Sequence, residues 1–157
     1  KHNSQTHRFK PYFQPIVDAL TQEVYKYESL IRYIDEDGNE VAPYKFLPIA
    51  KKAKLFPIVM NIMLQGAIDI IKEKNIKVSV NVSYDDIINE DTLMYIYGTL
   101  KTNPTEAQML DFEILESEEI ENFEYVREFI KKVRECGSRV GIDDFGAGYS
   151  NFNMLEE

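Results

Sequence analysis

The chain has 157 residues, 44% hydrophobic and 29% charged, with 27 acidic side chains against 18 basic ones and a net charge of −9. That length and apolar content suffice for one ordinary core, which excludes a disordered polypeptide. The acidic balance excludes nonspecific DNA or RNA binding, because a phosphate backbone needs a basic surface. A small phosphorylated ligand stays open, provided metal ions supply positive charge. Cys136 is the single cysteine, so no internal disulfide forms, and no Cys/His zinc spacing occurs. No apolar run reaches membrane-spanning length and no signal peptide is visible. These features point to a cytoplasmic protein, or to the cytoplasmic part of a larger, membrane-anchored one, with no direct membrane insertion by this segment.

Residues 1–8 are polar and read as a linker or tail, with His2 and His7 in solvent. Phe9–Val17 reads as a strand, and Pro11 and Pro15 place it at an edge or irregular position. Residues 18–22 form a turn and residues 23–33 a second strand, so the two make a hairpin. Residues 35–39 are a loop. Residues 43–53 are a helix with Pro43 in its first turn. Residues 57–74 are a stronger helix, because Val59, Met60, Met63, Leu64, Ala67, Ile70 and Ile71 recur at helical spacing. Lys77–Val82 is a strand, 91–100 a helix, and Leu110–Leu115 a strand. Phe123–Glu135 is an amphipathic helix with Val126, Phe129, Ile130 and Val133 inward, and Gly137 stops it. Arg139–Asp143 is the next strand, and a further helix begins at Ser150. Strands alternating with helices predict an α/β fold with a parallel sheet and crossover helices, in a single domain.

Strand parity selects the functional side chains. Alternate residues of a strand point to opposite faces. In the second strand Val24, Lys26, Glu28, Leu30 and Arg32 share a face. In Lys77–Val82 the three valines face one way, and Ser79 and Asn81 the other. In Leu110–Leu115, Phe112 and Ile114 oppose Asp111, Glu113 and Leu115. In the last strand Asp143 opposes Val140 and Ile142. If the apolar faces pack on helices, Asn81, Glu113 and Asp143 point together to the other side, near the C-terminal ends of their strands. In an α/β barrel that side is the interior, and its C-terminal mouth is where active sites are built. Glu28 joins them if its strand lines the same barrel.

Asp143 and Asp144 are adjacent carboxylates that repel unless protonation or a cation neutralises them. With Glu28, Asn81 and Glu113 they form a hard-oxygen donor set that suits Mg²⁺ or Mn²⁺. The chemistry that uses such a set is phosphoryl or phosphodiester hydrolysis, in which metals activate water and absorb phosphate charge. Arg32, on the face of Glu28, has the planar fork that matches phosphate oxygens. Other polar features have plainer roles. Ser83 suits a helix N-cap, and residues 116–119 suit a helix start. Met60, Met63 and Met154 fit a core, and Cys136 a half-buried helix position.

Five segments in order carry a family resemblance. Tyr27-Glu28-Ser29-Leu30-Ile31-Arg32 resembles the "EALLR" signature of the EAL family of cyclic-di-GMP phosphodiesterases, with Ser29 for alanine. Tyr12-Phe13-Gln14-Pro15-Ile16-Val17 resembles "YFQPIV", and Asn81-Val82-Ser83 resembles "NVS". Glu113-Ile114-Leu115-Glu116-Ser117 resembles "EITES", with Leu115 for threonine. Residues Asp143 to Ser150 resemble "DDFGTGYS".

The resemblance implies a modified TIM barrel whose first strand is antiparallel to the rest, with residues 9–157 forming an EAL domain truncated at its C-terminus. It implies metal-dependent opening of cyclic di-GMP to linear pGpG, with two Mg²⁺ or Mn²⁺ ions in the complete site. By motif position Glu28, Asn81, Glu113, Asp143 and Asp144 would be metal ligands. Asp144 would also help hold the attacking water, and Glu116 would order the loop after its strand. Arg32 would meet a ligand phosphate, and Gln14 and Leu30 would line the pocket. A full barrel needs about 250 residues, so the chain is expected to be about the first 60% of one. The family's later lysine, glutamate and glutamine would follow Glu157, and the chain alone is expected to be inactive. A homodimer and other domains of a parent protein are the expected protein partners. The alternative is a degenerate EAL domain, acting as a cyclic-di-GMP receptor or a protein-interaction module; Leu115 in place of threonine points that way.

Overall fold

Phe9–Val17 (β1) and Val24–Ile34 (β2) pair antiparallel, and they turn where the sequence predicts. Asp18 builds that turn: its Oδ1 accepts the backbone N–H groups of Leu20 and Thr21, both at 2.8 Å. The computed structural model describes residues 6–115 and 120–143. The remaining elements are Glu40–Val41 (β3), Pro43–Lys52 (α1), Phe56–Lys74 (α2), Lys77–Val82 (β4), Tyr84–Ile87 (α3), Glu90–Thr102 (α4), Pro104–Ala107 (α5), Leu110–Leu115 (β5), Phe123–Glu135 (α6) and Arg139–Asp143 (β6).

The sheet runs β1-β2-β4-β5-β6, with β3 attached to β2. β2, β4, β5 and β6 are mutually parallel, and β1 alone of the main strands opposes its neighbour. β1 is the terminal strand of this order, and its register slips between Ile16 and Val17. Pro11 and Pro15 lack the N–H that a strand paired on both sides would use, which fits the edge. The short elements β3 and α5 are additions to the predicted set, while α3 starts at the N-cap that Ser83 suggested. Two to four residues are too few to show a hydrophobic period. Helix α4 is longer than its predicted 91–100 because Asn89 caps it, its side chain accepting the Thr92 N–H at 2.9 Å.

One face of the sheet is dry. Val78, Val80, Val82, Leu110, Phe112 and Ile114 are at most 2% exposed. They meet Leu64, Ala67, Ile71, Ile96, Leu100, Val126, Phe129 and Val133 from the helices in one core. Phe112 and Phe129 meet edge to face, with centroids 5.6 Å apart. At the β1 end Phe9, Tyr33 and Phe46 form a second aromatic group, with centroids 5.2 to 5.9 Å apart. Ser29 is fully buried on this side, under the Met63 sulfur at 3.8 Å. A small residue is all that position admits, as the alanine-to-serine change in the motif implies.

Two glycines answer to geometry. Gly66 lets α2 lie against β1, since a Cβ there would stand 2.5 Å from Pro11 Cγ. Gly137 ends α6 with φ +94°, its N–H bonded to the Arg134 carbonyl. That is the left-handed stop expected from the sequence.

Candidate active site

The face of the sheet opposite the helices carries the polar side chains that parity selected. β2 and β4 pair with Glu28 beside Ser79, and β4 and β5 pair with Asn81 beside Glu113. The valines of β4 and the Phe112–Ile114 pair of β5 are buried in the core. Asn81 and Glu113 are therefore forced to the other side. There Asn81 Nδ2 donates to Glu28 Oε1 at 2.9 Å, joining the carboxylate of β2 to the carboxamide of β4. The Asn81 side-chain oxygen is buried and, among the described residues, has no hydrogen-bond partner. A buried acceptor without a donor costs free energy, and a cation would relieve it.

Asp143 ends β6, with its backbone in register with Leu115. Gln14 lies directly opposite Glu28 across the β1–β2 pair, and Tyr12 opposite Leu30. Gln14 is exposed, while Leu30 and Arg32 are half-buried. Arg32 Nη1 donates to its neighbour's carbonyl, Ile31 O, at 3.0 Å. Its guanidinium carbon lies 5.9 Å from the centre of the Tyr12 ring. Tyr12 in turn donates its hydroxyl to Glu40 at 2.6 Å. That hydrogen bond, with burial and the Glu40 charge, raises the Tyr12 phenol above its ordinary value. Glu116 and Asp144 lie outside the described residues, as does Met154.

Lys26 is a member of this site to which sequence reasoning assigned no role. Its Nζ lies 2.5 Å from Glu113 Oε1, and both side chains are about 85% shielded, at 15% and 16% exposure. Burial pulls the Lys26 ammonium down, but the Glu113 hydrogen bond and charge, with Asp111, outweigh it and hold the group above the usual lysine value. The signal was present in the parity pattern, since Lys26 precedes Glu28 by two residues on one strand face. Arg139 occupies the other nearby acid, donating to both oxygens of Asp111 at 3.0 and 2.9 Å. Lys26, Lys77, Asp111, Glu113 and Arg139 line a cavity of about 460 Å³ beside these strands.

Among the described residues no three His, Cys, Asp or Glu side chains are clustered for a metal ion. The donors on this face are two carboxylates and one carboxamide, of which Glu28 and Asn81 are hydrogen-bonded to each other and Glu113 to Lys26. Their chemistry fits Mg²⁺ or Mn²⁺, which take hard oxygen ligands, and the unpartnered Asn81 oxygen is a ready donor. Glu28, Asn81 and Glu113 are the described residues that would hold such an ion.

Ser83 closes the mouth of β4. Its hydroxyl and backbone N–H both donate to Asp86 Oδ2, at 2.6 and 3.0 Å, and its oxygen accepts the Asp86 N–H at 3.2 Å. This reciprocal cap starts α3 two residues after Asn81 and fixes the strand end that carries it.

The chain is 28% identical over 155 residues to the signaling protein YkoW of Bacillus subtilis, covering 96% of this chain and 19% of that protein. It is 28% identical over 150 residues to the cyclic di-GMP phosphodiesterase PA2567 of Pseudomonas aeruginosa, covering 92% of this chain and 26% of that protein. Its fold matches the FimX EAL domain of Pseudomonas aeruginosa, solved bound to c-di-GMP, with TM-score 0.81 and 25% identity over 96% of this chain and 62% of that one. The chain thus spans a fifth to a quarter of these curated relatives and about three fifths of the solved domain. The antiparallel first strand and the parallel strands after it are those of a TIM-like barrel of this type. The sequence model for the EAL domain matches residues 1–157, and with the ordered motifs and the sheet topology this means that the chain belongs to the EAL domain family.

Proposed function

We propose that this chain is the first part of an EAL domain that binds cyclic di-GMP and that, within the complete barrel, hydrolyses it to linear pGpG with Mg²⁺ or Mn²⁺. The observation that carries the reading is that Glu28, Asn81 and Glu113 stand on one polar face of three neighbouring strands, with Asn81 hydrogen-bonded to Glu28. The similarity to a cyclic di-GMP phosphodiesterase and to a domain solved with c-di-GMP bound supplies the ligand.

In this reading Glu28, Asn81, Glu113, Asp143 and Asp144 hold the ions, which would supply a water of lowered pKa and screen phosphate charge. The residues of the chain do the rest. Arg32, held beside Tyr12, offers its fork to a ligand phosphate. Gln14 and Leu30, on the same face as Glu28, border the ligand. By motif position Asp144 would help hold the attacking water, and Glu116 would order the segment that follows it. Residues 9–157 act as one unit, and other domains of a parent protein regulate it.

A second reading, a receptor that binds cyclic di-GMP without cleaving it, is favoured by one observation: the Lys26 ammonium already neutralises Glu113. The two readings separate in a protein that carries this chain within its complete barrel. Chromatography should show pGpG accumulating with Mn²⁺ and none after EDTA, and Glu28→Ala should abolish turnover. No turnover, together with calorimetric binding of cyclic di-GMP that is indifferent to EDTA, would replace the hydrolase by the receptor.

A further inference from the structure

We propose that Lys26 is a resident cation of the site, holding the Glu113 carboxylate until a divalent ion displaces it, and so sets this chain's affinity for that ion. The inference rests on the reading of Glu28, Asn81 and Glu113 as ion donors, and goes beyond it by giving a role to a residue outside the motifs.

The topology makes the contact. Lys26 stands level with Lys77 on β2 and β4, and Glu113 level with Asn81 on β4 and β5. The lysine side chain therefore reaches across β4 and up toward the C-terminal end of the sheet. Between Lys77 and Asn81 on that face of β4 lies only Ser79. Its short side chain leaves room for a four-carbon stem, which a larger residue would block. Among the described residues, Asp111 and Glu113 are the acids that act on Lys26. Arg139 takes both oxygens of Asp111. The ammonium is at hydrogen-bond distance from Glu113, 2.5 Å away.

The consequence for an incoming ion is electrostatic. Glu28 and Asn81 are joined by one hydrogen bond, which an ion can replace by bonding to both oxygens. Glu113 is different, because its charge is already balanced by a sheltered cation. A divalent ion that takes Glu113 must displace the ammonium and tolerate its charge nearby, where solvent screens poorly. Removal of the ammonium reverses the situation, because it leaves a shielded carboxylate without a counter-charge.

The test uses Mn²⁺ alone with the full chain, read by calorimetry and by the electron paramagnetic resonance signal of free Mn²⁺. Lys26→Met should tighten Mn²⁺ binding by roughly tenfold or more, from the charge removed. Lys26→Gln serves the same purpose if the methionine variant fails to fold by circular dichroism. Lys26→Arg, which keeps the charge, should bind as the parent chain does. The gain should vanish when Glu113→Gln is added to Lys26→Met. Equal or weaker binding by both neutral variants, with Glu28→Gln still abolishing binding, overturns the role of Lys26 and spares the ion site. Binding unchanged by Glu28→Gln, or no binding by any variant, overturns the ion site and the Lys26 inference with it.

Discussion

Gly66→Ala and Gly98→Ala are the same chemical change in two helices, and they should move stability in opposite directions. In an exposed helix the change gains about 1 kcal/mol, because alanine restricts the unfolded chain and favours helix. Gly98 in α4 is exposed, and a Cβ there meets nothing within 4 Å, so the full gain should appear. Gly66 in α2 faces β1, where a Cβ would lie 2.5 Å from Pro11 Cγ, 3.0 Å from Pro11 Cβ and 3.5 Å from Phe13 Cζ. Carbon atoms rest about 3.5–4.0 Å apart, so the first contact is short by about 1 Å or more. The proline ring cannot rotate away, and its residue is paired to Ile31 in β2. Overpacking of this kind costs about 1–3 kcal/mol, and here the upper half of that range applies, leaving a net loss of about 1–2 kcal/mol after the helix gain. For a chain of this size that is a fall in Tm of roughly 2–8 °C for Gly66→Ala, against a rise of roughly 2–4 °C for Gly98→Ala. Thermal and urea unfolding followed at 222 nm measure both. A Gly66→Ala chain as stable as Gly98→Ala would refute the close approach of α2 to β1, and with it the placement of Gln14 opposite Glu28 on a strand held by that helix.

Two further outcomes follow from the local chemistry. Ser83→Ala removes the hydroxyl side of the cap on α3, leaving the Asp86 N–H without that acceptor. It should cost about 1–2 kcal/mol in urea unfolding, while Ser83→Thr recovers most of it; a neutral Ser83→Ala would show that the cap contributes nothing at this strand end. Tyr97 has its phenol pushed up to about 12, first by burial and then by the charges of Glu128 and Cys136. Its folded value lies above its unfolded one, so the associated stability is complete below pH 10 and is lost as pH rises from 10 to about 12. Tyr97→Phe has no such loss. Relative to Tyr97→Phe, the parent chain's stability in urea unfolding should therefore fall between pH 9 and 12, by roughly 1–2 kcal/mol once solvent screening of the half-exposed ring is discounted. A difference that stays constant over that range would contradict the burial of the hydroxyl.

Much of the fold was legible in the sequence because its signals are local. Lys77–Val82 alternates valine with polar residues, and a strand with that pattern has only one face to bury. Helix α2 repeats its apolar residues at helical spacing, and Asn75 ends it in the left-handed conformation, with φ 52°. The same parity put Asn81 and Glu113 on one face, since the face opposite buried valines and phenylalanine must be shared; Glu28 joined them only on condition that its strand lay alongside, and the Asn81–Glu28 hydrogen bond meets that condition. Of the short elements only α3 left a trace in the sequence, through its Ser83 cap; β3 and α5 were not legible, because two to four residues show no period.

What the sequence determined by itself was the family, the order of the strands and helices, and the face of the sheet on which Asn81 and Glu113 stand. Those follow from residue type and from periods of two and 3.6, which are properties of a short stretch of chain. The partnerships were decided only by the tertiary structure. Glu28 and Asn81 are 53 positions apart yet hydrogen-bonded, and Lys26 and Glu113 are 87 apart yet paired. Register between strands distant in sequence sets such contacts, and no local pattern encodes which of two acids a lysine will reach. Arg139 on Asp111 makes that choice, and the chain brings Arg139 there only when β6 lies beside β5.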